Sequence, residues 1–219
     1  MITEASLFCR AMNEKPLIKS ISYSQDEILR WILELYVPSG RFDADVTYSR
    51  GGFYKNIPRP AECFDIAPQF DFVRQADCRS LPMEDGVLRS IVIDLPFLAT
   101  TGQSLNGQQG NIINRRFTVC RNEQALSELY RDAISEAFRV LGDDGILVMK
   151  CQDKVSSNKQ YMTHCSVFNW ALETGFYPAD LFILLAKSRL VANWQRNQKH
   201  ARKFHAFFWV FRKKVTKCP

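Results

Sequence analysis

Four short apolar runs, each with an aspartate at its end, constrain this chain more than any other feature. Residues 42–46, 63–66, 72–76 and 90–93 read as strands, and Asp45, Asp65, Asp77 and Asp94 stand where they stop. A capping box, Ser24-Gln25-Asp26-Glu27, opens a helix ahead of them that carries Ile28, Trp31, Ile32 and Leu35 at helical spacing. That helix ends near Pro38-Ser39-Gly40. Apolar residues at 126, 129, 130, 133, 134, 137, 138 and 141 predict an amphipathic helix over 123–141, with Gly142 as its cap. A fifth strand over 145–150, a helix from Thr163 to Gly175 and strands over 181–185 and 206–211 complete the order.

Strands alternating with helices predict a Rossmann-like, doubly wound, mostly parallel α/β sheet of seven strands, with helices on both faces. The connection between the last two strands is polar and shows no helical period. It therefore predicts a hairpin, with the final strand antiparallel at the edge of the sheet. In such a fold ligands bind at the carboxyl ends of the strands, where the strand order reverses. Here that crevice lies at the ends of the first and fourth strands, and all four aspartates share its edge.

No repeat or linker divides the 219 residues, so the chain reads as one domain. Residues 1–22 form an N-terminal extension. Residues 98–122, rich in Gly, Gln and Asn with Arg115 and Arg116, form a loop too long to be passive in a compact domain and are read as a target loop. No apolar run approaches the roughly 20 residues that span a membrane, and Met1-Ile2-Thr3-Glu4 lacks a signal-peptide pattern. The seven cysteines are odd in number and contain no Cys-x-x-Cys pair, which disfavours a disulfide framework or a metal site. Reduced thiols in a cytoplasmic protein are expected.

Charge is distributed unevenly. After Asp180 no acidic residue occurs, while ten Lys and Arg follow, against a net +6 for the whole chain. The basic connection at 187–205 holds Lys199, His200, Arg202, Lys203 and His205. A field of this kind suits a polyanion such as nucleic acid.

Asp94-Leu95-Pro96-Phe97 closes the fourth strand. An acid can accept hydrogen bonds from an amino group there, and the aromatic ring can stack on a flat base. The tetrapeptide resembles the Asp-Pro-Pro-Tyr/Phe motif of the S-adenosylmethionine (SAM)-dependent amino-methyltransferases, with Leu95 in place of the first proline. Asp45-Val46-Thr47-Tyr48-Ser49-Arg50-Gly51 resembles that family's Asp-Pro-Phe-x-Gly-x-Gly loop, with Val46 for the proline and Ser49 for the first glycine. Asp77 with Leu81-Pro82 is similar to its Asp-x-x-x-Leu-Pro segment, and 139–145 to its Arg-Val-Leu-Lys-Pro-Gly-Gly turn. The run 200–208 resembles the basic segment before the last strand of small bacterial and phage DNA methylases.

The resemblance implies SAM as cofactor, held by Asp45, Thr47, Ser49, Gly51, Asp65 with Ile66, and Asp77 with Cys78. It implies that Asp94 and the Leu95 carbonyl accept the two hydrogens of an exocyclic amine, that Pro96 fixes the turn and that Phe97 stacks on the flipped base. The target is expected to be adenine in DNA, contacted by Arg115, Arg116, Lys199, His200, Arg202, Lys203 and His205. An RNA amino-methyltransferase and an inactive SAM- or nucleic-acid-binding relative are the alternatives. No metal and no membrane enter this reading.

Overall fold

Side chains along a strand alternate between the two faces of its sheet, and the long strands here are apolar on both. In the computed structural model, residues 17–99, 120–188 and 199–214 are described. They form, in chain order, β1 (Ile21–Ser22), α1 (Gln25–Tyr36), β2 (Ala44–Asp45), β3 (Glu62–Asp65), β4 (Arg74–Gln75), β5 (Leu88–Asp94), α2 (Glu123–Val140), β6 (Leu141–Cys151), β7 (Lys154–Ser156), β8 (Lys159–Tyr161), α3 (Thr163–Thr174), β9 (Phe176–Leu185) and β10 (His205–Lys213). Ile91, Ile93, Leu147, Met149, Phe207 and Phe211 pack toward α2 and α3, together with Leu126, Tyr130, Ile134, Val167 and Ala171. Val92, Ile146, Val148, Phe208 and Val210 pack on the other face with Ile28, Leu29, Ile32 and Leu33 of α1. Fully burying one such side chain contributes about 1.5–3 kcal/mol, against roughly 1 kcal/mol net for a hydrogen bond. The two-faced core therefore dominates the stability of the long strands.

The main sheet runs β1-β9-β10-β6-β5-β2-β3-β4. From β2 the chain winds outward through β3 and β4, then returns so that β5 pairs with the other side of β2 in parallel. The order thus reverses between β2 and β5, as the sequence predicts. Two details differ. Among the described residues the sheet has eight strands, because β1, inside the expected N-terminal extension, pairs in parallel with β9. The antiparallel strand β10 is not at the edge: it lies between β9 and β6 and pairs with both. Its residues are apolar on both faces, so an interior position buries what an edge would expose.

The helix ends follow local chemistry. Ser24 accepts the Glu27 N–H at 3.3 Å, but Glu27 does not reach back to the Ser24 amide. The Ser22 hydroxyl intervenes, accepting from the Ser24 N–H and donating to Glu27. Asn122 caps α2 by accepting from Ala125 N–H at 2.8 Å. At the far end Gly142 is not a left-handed cap; Leu141 turns directly into extended backbone (φ −76°, ψ 134°) and begins β6. Lys213 caps the helix instead, donating to the carbonyls of Phe138 and Leu141. Gly142 is required for another reason, since a Cβ there would lie 2.9 Å from the Gly86 carbonyl oxygen. Gly175 does end α3 in the left-handed region (φ 113°), as expected. A hairpin of β7 and β8, turning at Ser157 and Asn158 with both φ positive, has no counterpart in the sequence-based expectation.

Candidate active site

Asp45 and Asp94 end adjacent parallel strands, and Thr47 ties them together. The Thr47 N–H and hydroxyl both donate to Asp45 Oδ1, at 2.8 and 3.2 Å. The same hydroxyl accepts the Asp94 N–H at 2.7 Å. Tyr54 donates its hydroxyl to the other Asp45 oxygen at 2.7 Å. Asp45 is 2% exposed, and burial pushes its carboxyl up to about 7 against the opposing pull of those donors. Both carboxyl oxygens of this acid are engaged within the chain. Its observed role is to brace the loop after β2.

Asp94 differs. Its side chain is 27% exposed, yet Oδ1 itself is shut off from solvent and has no hydrogen-bond partner. Oδ2 faces Lys150 Nζ at 3.4 Å. Burial raises the Asp94 carboxyl above the usual carboxylate range, and Lys150 opposes that shift. Leu95 is buried in the core, Pro96 and Phe97 are half-buried, and the Pro96 carbonyl accepts a bond from the buried Tyr130 hydroxyl at 3.3 Å. The Phe97 ring centre lies 5.7 Å from Lys150 Nζ. All four residues of the motif are thus gathered at the β5 end beside the β2 loop.

That loop is held by Asp65, which accepts the Ser49 N–H at 2.7 Å on one oxygen and the Ala67 N–H at 2.8 Å on the other. A carboxylate has about four lone-pair positions, which leaves room for further donors. Ser49 adopts φ 50°, the left-handed region that favours glycine. The position that is glycine in the resembled loop is left-handed here and occupied by a strained serine. Gly51 serves the chain itself: a Cβ there would meet the Tyr48 hydroxyl oxygen at 2.5 Å. The Tyr48 ring covers Gly51 and stacks on Tyr54 at 5.5 Å. The resembled loop implies a ligand against the backbone of Gly51; the close neighbour is an internal phenol.

Ile66 stands 47% exposed beside Asp65, an apolar surface at the strand end. Asp77 is clasped by the Arg79 guanidinium through both oxygens, which holds its carboxyl below the usual range. Cys78 is buried in the core, and burial pushes its thiol up to about 12. Of Asp45, Asp65, Asp77 and Asp94, only Asp94 has an oxygen that is both buried and unpartnered.

The basic run reaches the same edge. Because β10 is antiparallel, with Phe207 opposite Cys151, its amino end meets the carboxyl end of β6. His205 begins β10, and its carbonyl accepts a bond from Gln152 at 2.7 Å. Lys199 and His200 are exposed, while Arg202 and Lys203 are half-buried. Arg115 and Arg116 lie outside the described residues. Surface depressions along α2, lined by Asp85, Lys213 and Gly142 or by Asp77, Arg79 and Glu136, include neither Asp94 nor Phe97.

Sequence reasoning passed over Lys150, Tyr54, Tyr130 and Gln25. One signal was present: Lys150 ends the otherwise apolar run Ile146-Leu147-Val148-Met149.

No protein-family model and no curated protein sequence matches this chain. Solved structures do. A Thermus thermophilus protein described as a DNA modification methylase, solved with SAM, is 18% identical with a TM-score of 0.44, covering 66% of this chain. This chain spans only 56% of that protein's length. A Galdieria sulphuraria protein assigned as a sarcosine dimethylglycine methyltransferase aligns over 86% of this chain and 85% of its own (TM-score 0.52, 15% identity). The [4+2]-cyclase SpnF aligns over 87% and 82% (TM-score 0.53, 15% identity). The last two alignments establish the Rossmann-like methyltransferase fold. A cyclase on the same fold shows that the chemistry must be argued from the site.

Proposed function

We propose that this chain is a SAM-dependent methyltransferase acting on an exocyclic amino group of a nucleic-acid base, with adenine in DNA the favoured target. The observation that carries this reading is the unpartnered Oδ1 of Asp94, placed at the reversal of strand order between β2 and β5. An enclosed acceptor without a donor costs stability, and an amine hydrogen would satisfy it.

The residues fit the cofactor at the β2–β3 side. Asp65 retains lone pairs for two ribose hydroxyls, and Ile66 offers an exposed apolar surface for a purine. Thr47, Ser49 and Gly51 shape the loop beside them. Asp45 braces that loop, and Asp77 and Cys78 form the far wall with their own side chains engaged or buried. SAM, when bound, supplies the methyl group.

The chain supplies orientation and electrostatics. An exocyclic amine is a poor nucleophile because its lone pair is delocalised into the ring. Asp94 Oδ1 and the Leu95 carbonyl accept its two hydrogens and draw the nitrogen toward tetrahedral geometry, which exposes the lone pair. Phe97 stacks on the base, and Pro96, held through its carbonyl by Tyr130, fixes the distance between acceptor and ring. A preorganised contact of this kind accounts for a rate factor of about 10² to 10³. The basic run at the β10 start contacts phosphates.

The test is transfer of labelled methyl from SAM to DNA and to RNA by the purified chain, followed by identification of the modified base. N6-methyladenine in DNA is expected. Label in RNA alone moves the assignment to an RNA amino-methyltransferase, and SAM binding without transfer to either marks an inactive relative.

A further inference from the structure

Lys150 sits at the centre of the site, outside both the Asp94–Phe97 motif and the loop after β2. Asp94 and Lys150 are directly paired residues of the parallel strands β5 and β6, so the backbone ladder sets their spacing. The ammonium is anchored from elsewhere. Gln25 Oε1, at the start of α1, lies 3.1 Å from Nζ. The ring centres of Phe53, Phe208 and Phe97 lie 4.8, 5.6 and 5.7 Å away. The side chain is only 14% exposed.

The separation from Asp94 is the informative quantity. A charge-assisted hydrogen bond between an ammonium and a carboxylate spans about 2.7–2.9 Å, and this pair stands at 3.4 Å. Hydrogen bonding fades steeply over that range, whereas Coulomb attraction falls only as the inverse of distance. Lys150 is therefore a strong counter-charge and a weak hydrogen-bond donor. It favours the carboxylate form without saturating it.

We infer that Lys150 is the positioning residue of the transfer site: held by Gln25 and three rings, it keeps Asp94 a carboxylate and turns it so that Oδ1 remains free for the target amine. The inference rests on the function proposed above. Without Lys150, nothing opposes the upward push of burial on this carboxyl, and a protonated Asp94 has lost part of its power to accept from the amine. Other groups facing Asp94 do not replace the charge. Asp45, from the end of β2, can contribute only the same sign, and only above about pH 7, where it ionises. Tyr130 of α2 and Cys151 of β6 are neutral groups whose own ionisation is suppressed by burial.

The experiment is the pH profile of single-turnover methyl transfer, with SAM affinity measured alongside by calorimetry. Lys150→Met should move the acid limb upward by about one to three pH units, the shift expected when an opposite charge within about 4–6 Å is removed. SAM affinity should stay within about threefold, and Lys150→Arg should return the limb most of the way. If Lys150→Met does not fold, Lys150→Gln, polar but uncharged, is measured in its place with the same expectation. A uniform drop at every pH with an unmoved limb overturns the inference and makes Lys150 a packing residue. Asp94→Asn separates the two levels: full activity in that variant sinks the amine-transfer reading itself, whereas an inactive Asp94→Asn with an unmoved Lys150→Met limb sinks only the role of Lys150.

Discussion

The two halves of the sheet solve the same problem in opposite ways. In the β2–β3–β4 half the strands are two, four and two residues long, too short for ladder bonds alone to hold them. Carboxylates make up the difference: Asp45 gathers Thr47 and Tyr54, Asp65 gathers Ser49 and Ala67, and Asp77 is locked to Arg79. In the β5–β6–β10–β9 half the strands run seven to eleven residues and share continuous ladders over a two-faced apolar core. There the acid at the strand end is not needed for structure, and Asp94 keeps an unpartnered oxygen. Where the backbone holds itself, a strand-terminal acid is released for chemistry; where it does not, the acid becomes part of the scaffold.

The largest effect should fall on the released acid. Asp94→Ala is expected to lower the single-turnover rate by at least about 10²-fold, with SAM affinity within a few-fold. Its stability is read in the double variant Asp94→Ala/Lys150→Met, which leaves no stranded ammonium. A large loss of stability in the double variant relative to Lys150→Met alone would break the contrast by showing that Asp94 is scaffold too.

Asp65→Ala should fail on both counts. It removes the anchors of the Ser49 and Ala67 amides, and in the proposed function it also removes the ribose acceptor. Charge-assisted bonds contribute about 1.5–3 kcal/mol each, so SAM affinity should fall at least about tenfold by calorimetry, with a clear drop in denaturation midpoint. Loss of stability with unchanged SAM affinity would confine Asp65 to the loop.

Asp45 should appear in the pH dependence of folding. Its carboxyl sits at about 7 in the folded chain, above the ordinary value of 3.8. The folded state therefore binds the proton more tightly. The stabilisation is fully present below about pH 4 and is lost as pH rises through about 7, with a slope of at most about 1.4 kcal/mol per pH unit. The stability of the parent minus that of Asp45→Asn, from urea unfolding at a series of pH values from about 5 to about 8, should decline steadily. A flat difference would mean that Tyr54 and Thr47 hold Asp45 ionised throughout.

The smallest effect sharpens the comparison within the short-strand half. Ser49→Gly removes a strained left-handed serine and should stabilise by roughly 0.5–1 kcal/mol after the extra entropy of glycine in the unfolded chain. Differential scanning calorimetry can detect a shift of that size, and a drop in melting temperature would show that the serine side chain has a contact of its own.

Much of this was legible in the sequence, and the reasons are local. The Ser24 cap, the periodicity of α2, the Gly175 stop and the strand-end places of Asp45, Asp65 and Asp94 each follow from a few consecutive residues, because capping, helical phase and left-handed backbone are decided over one or two turns. Asp77 lies two residues beyond β4, which is shorter than the expected strand over 72–76. The Ser22 relay, the Lys213 cap on α2 and the β7–β8 hairpin carry no such local signal: the two caps use side chains from outside the helix they close, and the Ser157-Asn158 turn lacks the glycine that marks a tight hairpin.

What only the tertiary structure decided is which strand lies beside which, and therefore which acid is free. The sequence of β10 specifies an apolar strand after a basic run, but not that it inserts between β6 and β9. That position depends on burying Phe207 and Phe211 against one helical layer and Phe208 and Val210 against the other. Insertion brings the basic run to within two strands of Asp94. The parallel pairing of β5 with β6 likewise sets Lys150 opposite Asp94, 56 residues away in the chain. By itself the sequence determined which groups could do chemistry at this edge. The packing of two apolar faces, a non-local property, determined that Asp45, Asp65 and Asp77 became braces and that Asp94 was left with an unpartnered acceptor beside a lysine.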